Sequence, residues 1–156
     1  MSEAEPRAER PYIPDYGLPG PETGFVDWSD AVRRLTDSQN YWLATTDADG
    51  GPHVNAIWGV WLDGSFYCGG GPDVRWARNL KRDPRLALHL EDGEKAIILK
   101  GTVERTSDVA SEVQDVIDAY KKKYDFDHPA PFWRFTPKVA FGWTDFTKNA
   151  TRWTFD

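Results

Sequence analysis

The chain has 156 residues, with 19 Lys+Arg against 25 Asp+Glu, a net charge of -6 and 14% aromatic residues. That length buries about two-thirds of the unfolded surface, enough for one core, and the aromatic content excludes a disordered chain. The acidic balance argues against nucleic-acid binding, which needs a positive face, and the apolar runs are too short to span a membrane. The start MSEAEPRAER lacks an apolar signal core, and the single cysteine, Cys68, fits a reducing compartment, so a cytoplasmic, single-domain protein is expected.

Residues 1–24 read as an extended, Pro-rich N-terminal tail, docked by Tyr12, Ile13, Tyr16 and Leu18, and the folded domain is expected over 25–156. From Asp27 the pattern turns helical, with Trp28, Val32 and Leu35 on one face up to about Ser38. Strands follow at 40–46, 52–62 and 65–69, separated by the turn sequences Asp49-Gly50-Gly51 and Asp63-Gly64. Asp73 is placed to cap a helix over 74–82 that Pro84 stops. Strands resume at 85–91 and 94–105, and a helix over 107–124 carries Val109, Val113, Val116, Ile117 and Tyr120 on one stripe. Strands at 132–136, 138–146 and 151–155 complete the chain. The short connections demand antiparallel pairing, and segments apolar on both faces (YWLA, IWGVWL, AIIL) suit a closed barrel covered by helices or a second subunit. The expected fold is therefore mainly β, with six or seven antiparallel strands and flanking helices.

The reactive residues are few. His53, His89 and His128 share no ligand spacing with one another or with Cys68, so no metal site is expected. Cys68 reads as a small buried hydrophobe, and no G-x-S-x-G elbow is present. The stronger signal is Gly69-Gly70-Gly71-Pro72-Asp73, which ends a strand and opens a helix. Between 75 and 85 there are five cations and one anion, and Arg75 and Arg78 share a helix face on which they could clamp a phosphate. A solvated basic helix face explains the same composition equally well. Eight tryptophans exceed what a core this size usually holds, and a flat aromatic ligand or a subunit interface would use the surplus.

The segments YWLATTDADGGPHV, WGVWLDGSFYCGGGPDVRWARNLKRDPRLALHLE, KGTVERT and ATRWTF, in this order, resemble the pyridoxamine 5′-phosphate oxidase-like family over about residues 27–156. R-x-A-R-N-L-x-x-D-P-R is the most specific piece. The resemblance implies the FMN-binding split barrel, a homodimer that holds FMN or a deazaflavin coenzyme between two barrels, and oxidase or reductase chemistry on a small-molecule substrate. Some members bind haem or other tetrapyrroles instead. Position by position, it implies that Asn55, Ala56 and Ile57 lie along the flavin ring, and that Cys68 and Gly69 meet the cofactor from the third strand. It also puts Arg75 at the first basic residue of a phosphate-binding pair, Lys95 near the ring or its side chain, and Trp143 and Arg152 at the cofactor or substrate. Trp76 stands where the family has the second basic residue, leaving Arg78 to compensate, and Asn55 stands where oxidases carry an arginine.

Overall fold

A computed structural model of the chain describes residues 4–156. Nine strands form one antiparallel sheet system: β1 (Arg7–Glu9), β2 (Tyr41–Thr46), β3 (Pro52–Ile57), β4 (Val60–Leu62), β5 (Ser65–Cys68), β6 (Arg85–His89), β7 (Ile97–Arg105), β8 (Trp133–Gly142) and β9 (Thr151–Thr154). The helices are α1 (Trp28–Asp37), α2 (Arg75–Arg82), α3 (Gln114–Tyr124) and the single turn α4 (Phe146–Asn149). The strand order is β1-β9-β8-β7-β6-β2-β3, with the β4–β5 hairpin joined to β8 through β5. This mainly β, antiparallel architecture with flanking helices agrees with the split barrel expected. No helix among the described residues is long and apolar enough to cross a membrane.

Turn chemistry fixes the hairpins. Asp63 and Gly64 both take positive φ, the two-residue turn whose twist matches the flanking strands, so β4 and β5 pair with Leu62 opposite Ser65. Gly50, also at positive φ, closes the β2–β3 turn with its N–H on the Asp47 carbonyl (2.9 Å). Asp92 accepts from the N–H groups of Glu94 and Lys95, which holds 92–95 as a turn and delays β7 to Ile97 rather than residue 94.

Other departures from the sequence reading have long-range causes. The segment 52–62 is two strands, because the backbone at Trp58 and Gly59 bonds to α3 instead of a neighbouring strand. Tyr120 donates to the Trp58 carbonyl (3.2 Å), Gly59 N–H donates to the Tyr124 hydroxyl (3.0 Å), and Lys123 donates to the Gly59 carbonyl (3.0 Å). Conversely, 132–136 and 138–146 merge into β8, which runs through Pro137 at a bulge opposite Lys100 and Gly101. The aromatics dock the tail only in part: Tyr12 is 90% exposed, while Tyr16, 64% exposed, meets the Phe146 ring edge-on at 5.7 Å, and Ile13 and Leu18 are half-buried. In addition β1 pairs with β9, and the Arg10 guanidinium donates to the carbonyls of Pro19, Gly20, Gly24 and Ala150. Neither Asp27 nor Asp73 makes a side-chain cap; α2 begins with Val74 at its N-cap.

The main core fills the barrel with Tyr41, Leu43, Phe66, Leu88, Ile97, Leu99 and Phe135, and α1 closes one end through Trp28, Ala31 and Leu35. A second cluster, including Val116, Tyr120 and Phe132, lies under α3. Trp28, Trp61, Trp76, Trp133 and Trp153 are all buried, so most of the tryptophan surplus is core; the Trp28 ring meets those of Trp61 and Trp153 edge-on.

Packing at the β3–β4 break leaves room only for hydrogen. A Cβ on Gly59 would lie 2.2 Å from the Phe66 ring and 2.9 Å from the Tyr67 carbonyl oxygen, whereas one on Gly71 would meet nothing within 4 Å. Gly59→Ala is expected to lower stability by about 1–3 kcal/mol. Gly71→Ala should stay within about 0.5 kcal/mol of the parent. Urea midpoints at unchanged slope measure both.

Candidate functional site

The amphipathic helix α2 turns Trp76, Ala77, Asn79 and Leu80 inward and leaves Arg75 and Arg78 exposed. Its docking depends on Asn79, which is 2% exposed. The Asn79 amide nitrogen donates to Thr45 Oγ1 (3.0 Å) and to Asp47 Oδ1 (3.0 Å), while Arg82 donates to Asn79 Oδ1 (3.0 Å) and to the Thr46 carbonyl (2.5 Å). Every polar atom of this amide is therefore used, and it clamps α2 to the end of β2. Arg75 Nη1 lies 3.2 Å from Asp47 Oδ1. The Asn79 amide, with the Arg75 guanidinium adding to it, holds the Asp47 carboxyl below its ordinary range. Arg78 has no ion-pair partner among the described residues.

The residues singled out in the sequence fall into three places. Asn55 and Ile57 point to the inner face of β3, Ile57 against the core, while Ala56 points outward opposite Trp42, so the triplet does not line one surface. Asn55 sits opposite Leu43, a diagonal step of about 7 Å from Thr45, and makes no hydrogen bond to the Asn79–Asp47–Arg75 cluster at the end of β2. Its Oδ1 is buried and has no hydrogen-bond partner.

Cys68, Gly69 and Trp76 form the second place, and it is packed rather than open. Cys68 is 1% exposed, and burial pushes its thiol up to about 12. A Cβ on Gly69 would meet the His128 ring at 2.1 Å, and one on Gly70 would meet Trp76 at 2.8 Å. Trp76 belongs to the core and does not replace a surface cation in a phosphate site.

Lys95, Trp143 and Arg152 share the third place. Trp143 N–H bonds the carbonyl of Ala96, next to Lys95 (3.2 Å), and Trp143 meets Phe146 edge-on at 5.0 Å. Arg152 lies on β9 opposite Phe141 and donates to Glu9 Oε1 of β1 (2.6 Å) and to Thr154 Oγ1 (2.8 Å).

One outward-facing row links the first and third places. Ala56, Trp42, His89, Ile98, Phe141 and Arg152 stand directly opposite one another on β3, β2, β6, β7, β8 and β9. The rings of Trp42 and His89 lie parallel, with centroids 6.3 Å apart. Five strand spacings separate Ala56 from Arg152, about 24 Å along the sheet. A single flavin-sized ligand does not reach both within one protomer. Among the described residues no group of three or more His, Cys, Asp or Glu could hold a metal ion.

A family model described as pyridoxamine 5′-phosphate oxidase matches residues 29–146. The chain belongs to the pyridoxamine 5′-phosphate oxidase family. The comparison with curated proteins gives no match. Among solved structures the chain is similar to an F420 reductase, at 24% identity over 69% of this chain and 94% of the other, with a TM-score of 0.54. It is also similar to HutZ, a haem storage protein from Vibrio cholerae, at 18% identity over 70% and 87% of the two chains, with a TM-score of 0.58. A third is a protein of Clostridium acetobutylicum related to general stress protein 26, at 20% identity over 83% and 93%, with a TM-score of 0.61. At these identities the likeness is one of fold. In this family member the R-N-L piece of the motif is structural at its centre, and Thr45, Asp47 and Asn79 are what the sequence reading missed. The available signal was the asparagine inside a helix, a position that disfavours it unless its side chain has partners.

Asn79→Ala leaves Thr45 and Asp47 without their buried donor. The expected loss is about 1–3 kcal/mol of stability. Chemical denaturation would measure it, and amide hydrogen exchange should show α2 opening ahead of the barrel strands.

Proposed function

We propose that the chain is a flavin-binding oxidoreductase acting as a homodimer, with FMN as cofactor and an unidentified small molecule as the partner in hydride transfer. The observation that carries this reading is the buried, partnerless Oδ1 of Asn55 on β3, the strand next to β2, whose end carries the Arg75 cluster. A buried acceptor without a donor is costly, and the imide N–H of a flavin or deazaflavin ring is a donor of the right kind. Haem offers no such group. The residues present fit the flavin: Asn55 would take the imide edge, and Arg75 and Arg78 would hold the phosphate. When bound, the flavin ring supplies the hydride chemistry, so no protein acid or base is obligatory.

The dimer is supported by the outward row. Trp42, Ile98 and Phe141 are too apolar to suit open solvent, and the residues at its two ends lie too far apart to serve one ligand from one subunit. A twofold axis through that face would bring the β3 side of one protomer toward the β8–β9 side of its partner.

Deazaflavin is the second reading, since it shares the imide edge and since one similar structure is an F420 reductase. Haem is the third: His89 Nδ1 donates to the Leu90 carbonyl (2.7 Å), which leaves Nε2 unprotonated on the outward face, and two similar structures are described as haem storage or haem binding.

Titration with FMN, coenzyme F420 and haem, followed by absorption, separates the three. FMN is expected to bind, and Arg75→Ala to weaken it by about tenfold, because a charge-assisted contact is worth roughly 1.5–3 kcal/mol and Asp47 already occupies part of the guanidinium. Riboflavin, lacking the phosphate, should bind both proteins alike. Tight haem uptake without flavin binding would overturn the proposal.

A further inference from the structure

The flavin reading leaves the amine of Lys123 unused, and its surroundings ease the loss of its proton relative to an exposed lysine. Lys123 lies in the last turn of α3, with Nζ 2.7 Å from the Tyr41 hydroxyl and 3.0 Å from the Gly59 carbonyl. The Tyr41 hydroxyl gives its own proton to the Leu35 carbonyl (2.5 Å), so toward Lys123 it only accepts. Two acceptors match the two protons of a neutral amine and leave its lone pair free. The third proton of an ammonium finds no acceptor among the described residues, and no carboxylate lies within ion-pair distance of Nζ.

Lys123 is one of the residues that line a cavity of about 590 Å³ between α1, β4 and α3. Val60, Trp61, Leu62 and Ala119 supply an apolar wall, and Asp37 and Lys122 are its charged members. Burial brings the Lys123 amine down to about 8, while the negative charge of Asp37 pulls it the other way. The Tyr41 and Tyr124 rings lie 4.8 and 5.3 Å from Nζ and favour the ammonium, and burial raises both phenols so that neither supplies a negative charge near neutrality.

We propose that Lys123 is a carbonyl-capturing site, taking small aldehydes with an apolar body into the cavity between α1, β4 and α3 and holding them as a Schiff base. The Nζ lone pair bonds to the carbonyl carbon, and the carbonyl oxygen takes up a proton to give a carbinolamine. That hydroxyl leaves as water with the remaining amine proton, so amine and aldehyde give imine and water with no change of oxidation state. The site is separate from Asn55 and the Asn79–Asp47–Arg75 cluster and stands whether or not flavin binds there.

The test is competitive labelling of the intact protein with limiting benzaldehyde and sodium cyanoborohydride, which reduces the imine to a stable amine, across pH 6–10. The chain has eight lysines, and mass-spectrometric peptide mapping reads each one. At neutral pH an amine titrating near 8 is ~200-fold more neutral than an ordinary lysine near 10.4. Restricted entry to the cavity lowers that advantage, so Lys123 is expected to label at least tenfold faster than the exposed lysines below pH 8, with a midpoint near 8. The other lysines should still be rising at pH 10. Lys123→Arg, which keeps the donors and removes the nucleophile, should abolish the fast label and leave the others unchanged. Labelling of Lys123 no faster than the exposed lysines, or with their midpoint, would overturn the proposal.

Discussion

Strand β8 is the constraint on which the sheet depends. Its ten residues have three partners: β7 along its whole length, β5 beside Trp133–Phe135, and β9 beside Val139–Gly142. The exchange of partners happens at the bulge, where Gly101 faces Pro137 and a Cβ on Gly101 would lie 2.1 Å from the Thr136 carbonyl oxygen. Only glycine allows β7 and β8 to approach that closely, and proline costs no ladder bond where the register shifts. One arm of the sheet closes over the core through β5 and β4. The other continues outward through β9 to β1. This division puts β3 and β9 on opposite sides of a single broad face.

The Arg75 cluster is built at the end of β2, with Asn55 on the inner face of the neighbouring β3, and its electrostatics are largely settled before any ligand arrives. Asn79 spends its amide on Thr45 and Asp47, and Asp47 in turn holds Arg75. In the proposed site an incoming phosphate would meet a guanidinium already positioned by a carboxylate, gaining geometry and giving up part of the charge. Asn55 is the opposite case: its buried oxygen is unanswered, and that imbalance points to a ligand. Arg152, at the far side, is neutralised by Glu9 from a strand that only the folded tail supplies.

Much of the strand and helix content was legible because it rests on local signals. Asp63-Gly64 dictated its own turn, the alternation in YWLATT marked β2, and the apolar spacing of Val116 and Tyr120 marked α3. What escaped is non-local. Nothing near residues 58–59 announces that three α3 side chains will bond that backbone, and nothing in Arg7–Glu9 names β9, more than 140 residues away, as its partner. The motif R-x-A-R-N-L lies within the region the family model matches, yet spacing alone does not divide its residues between anchor and clamp. Arg75 faces solvent, whereas Trp76 and Asn79 face the core because the helix period turns them there. Cys68 was read as a buried hydrophobe on its own chemistry, and burial supports that reading over its placement at the cofactor.

We propose that one ligand site draws on two protomers, β3 and α2 from one and β8–β9 from the other. The direct measurement is FMN stoichiometry in mixed dimers. One subunit carries Asn55→Leu with Arg75→Ala, the other carries Trp143→Ala with Arg152→Ala, and differently tagged heterodimers are isolated after co-refolding. Neither altered homodimer should bind tightly. Each heterodimer should recover one tight FMN site, since one of its two clefts takes both halves from unaltered surfaces. Heterodimers that bind no better than either homodimer would contradict a site shared between subunits.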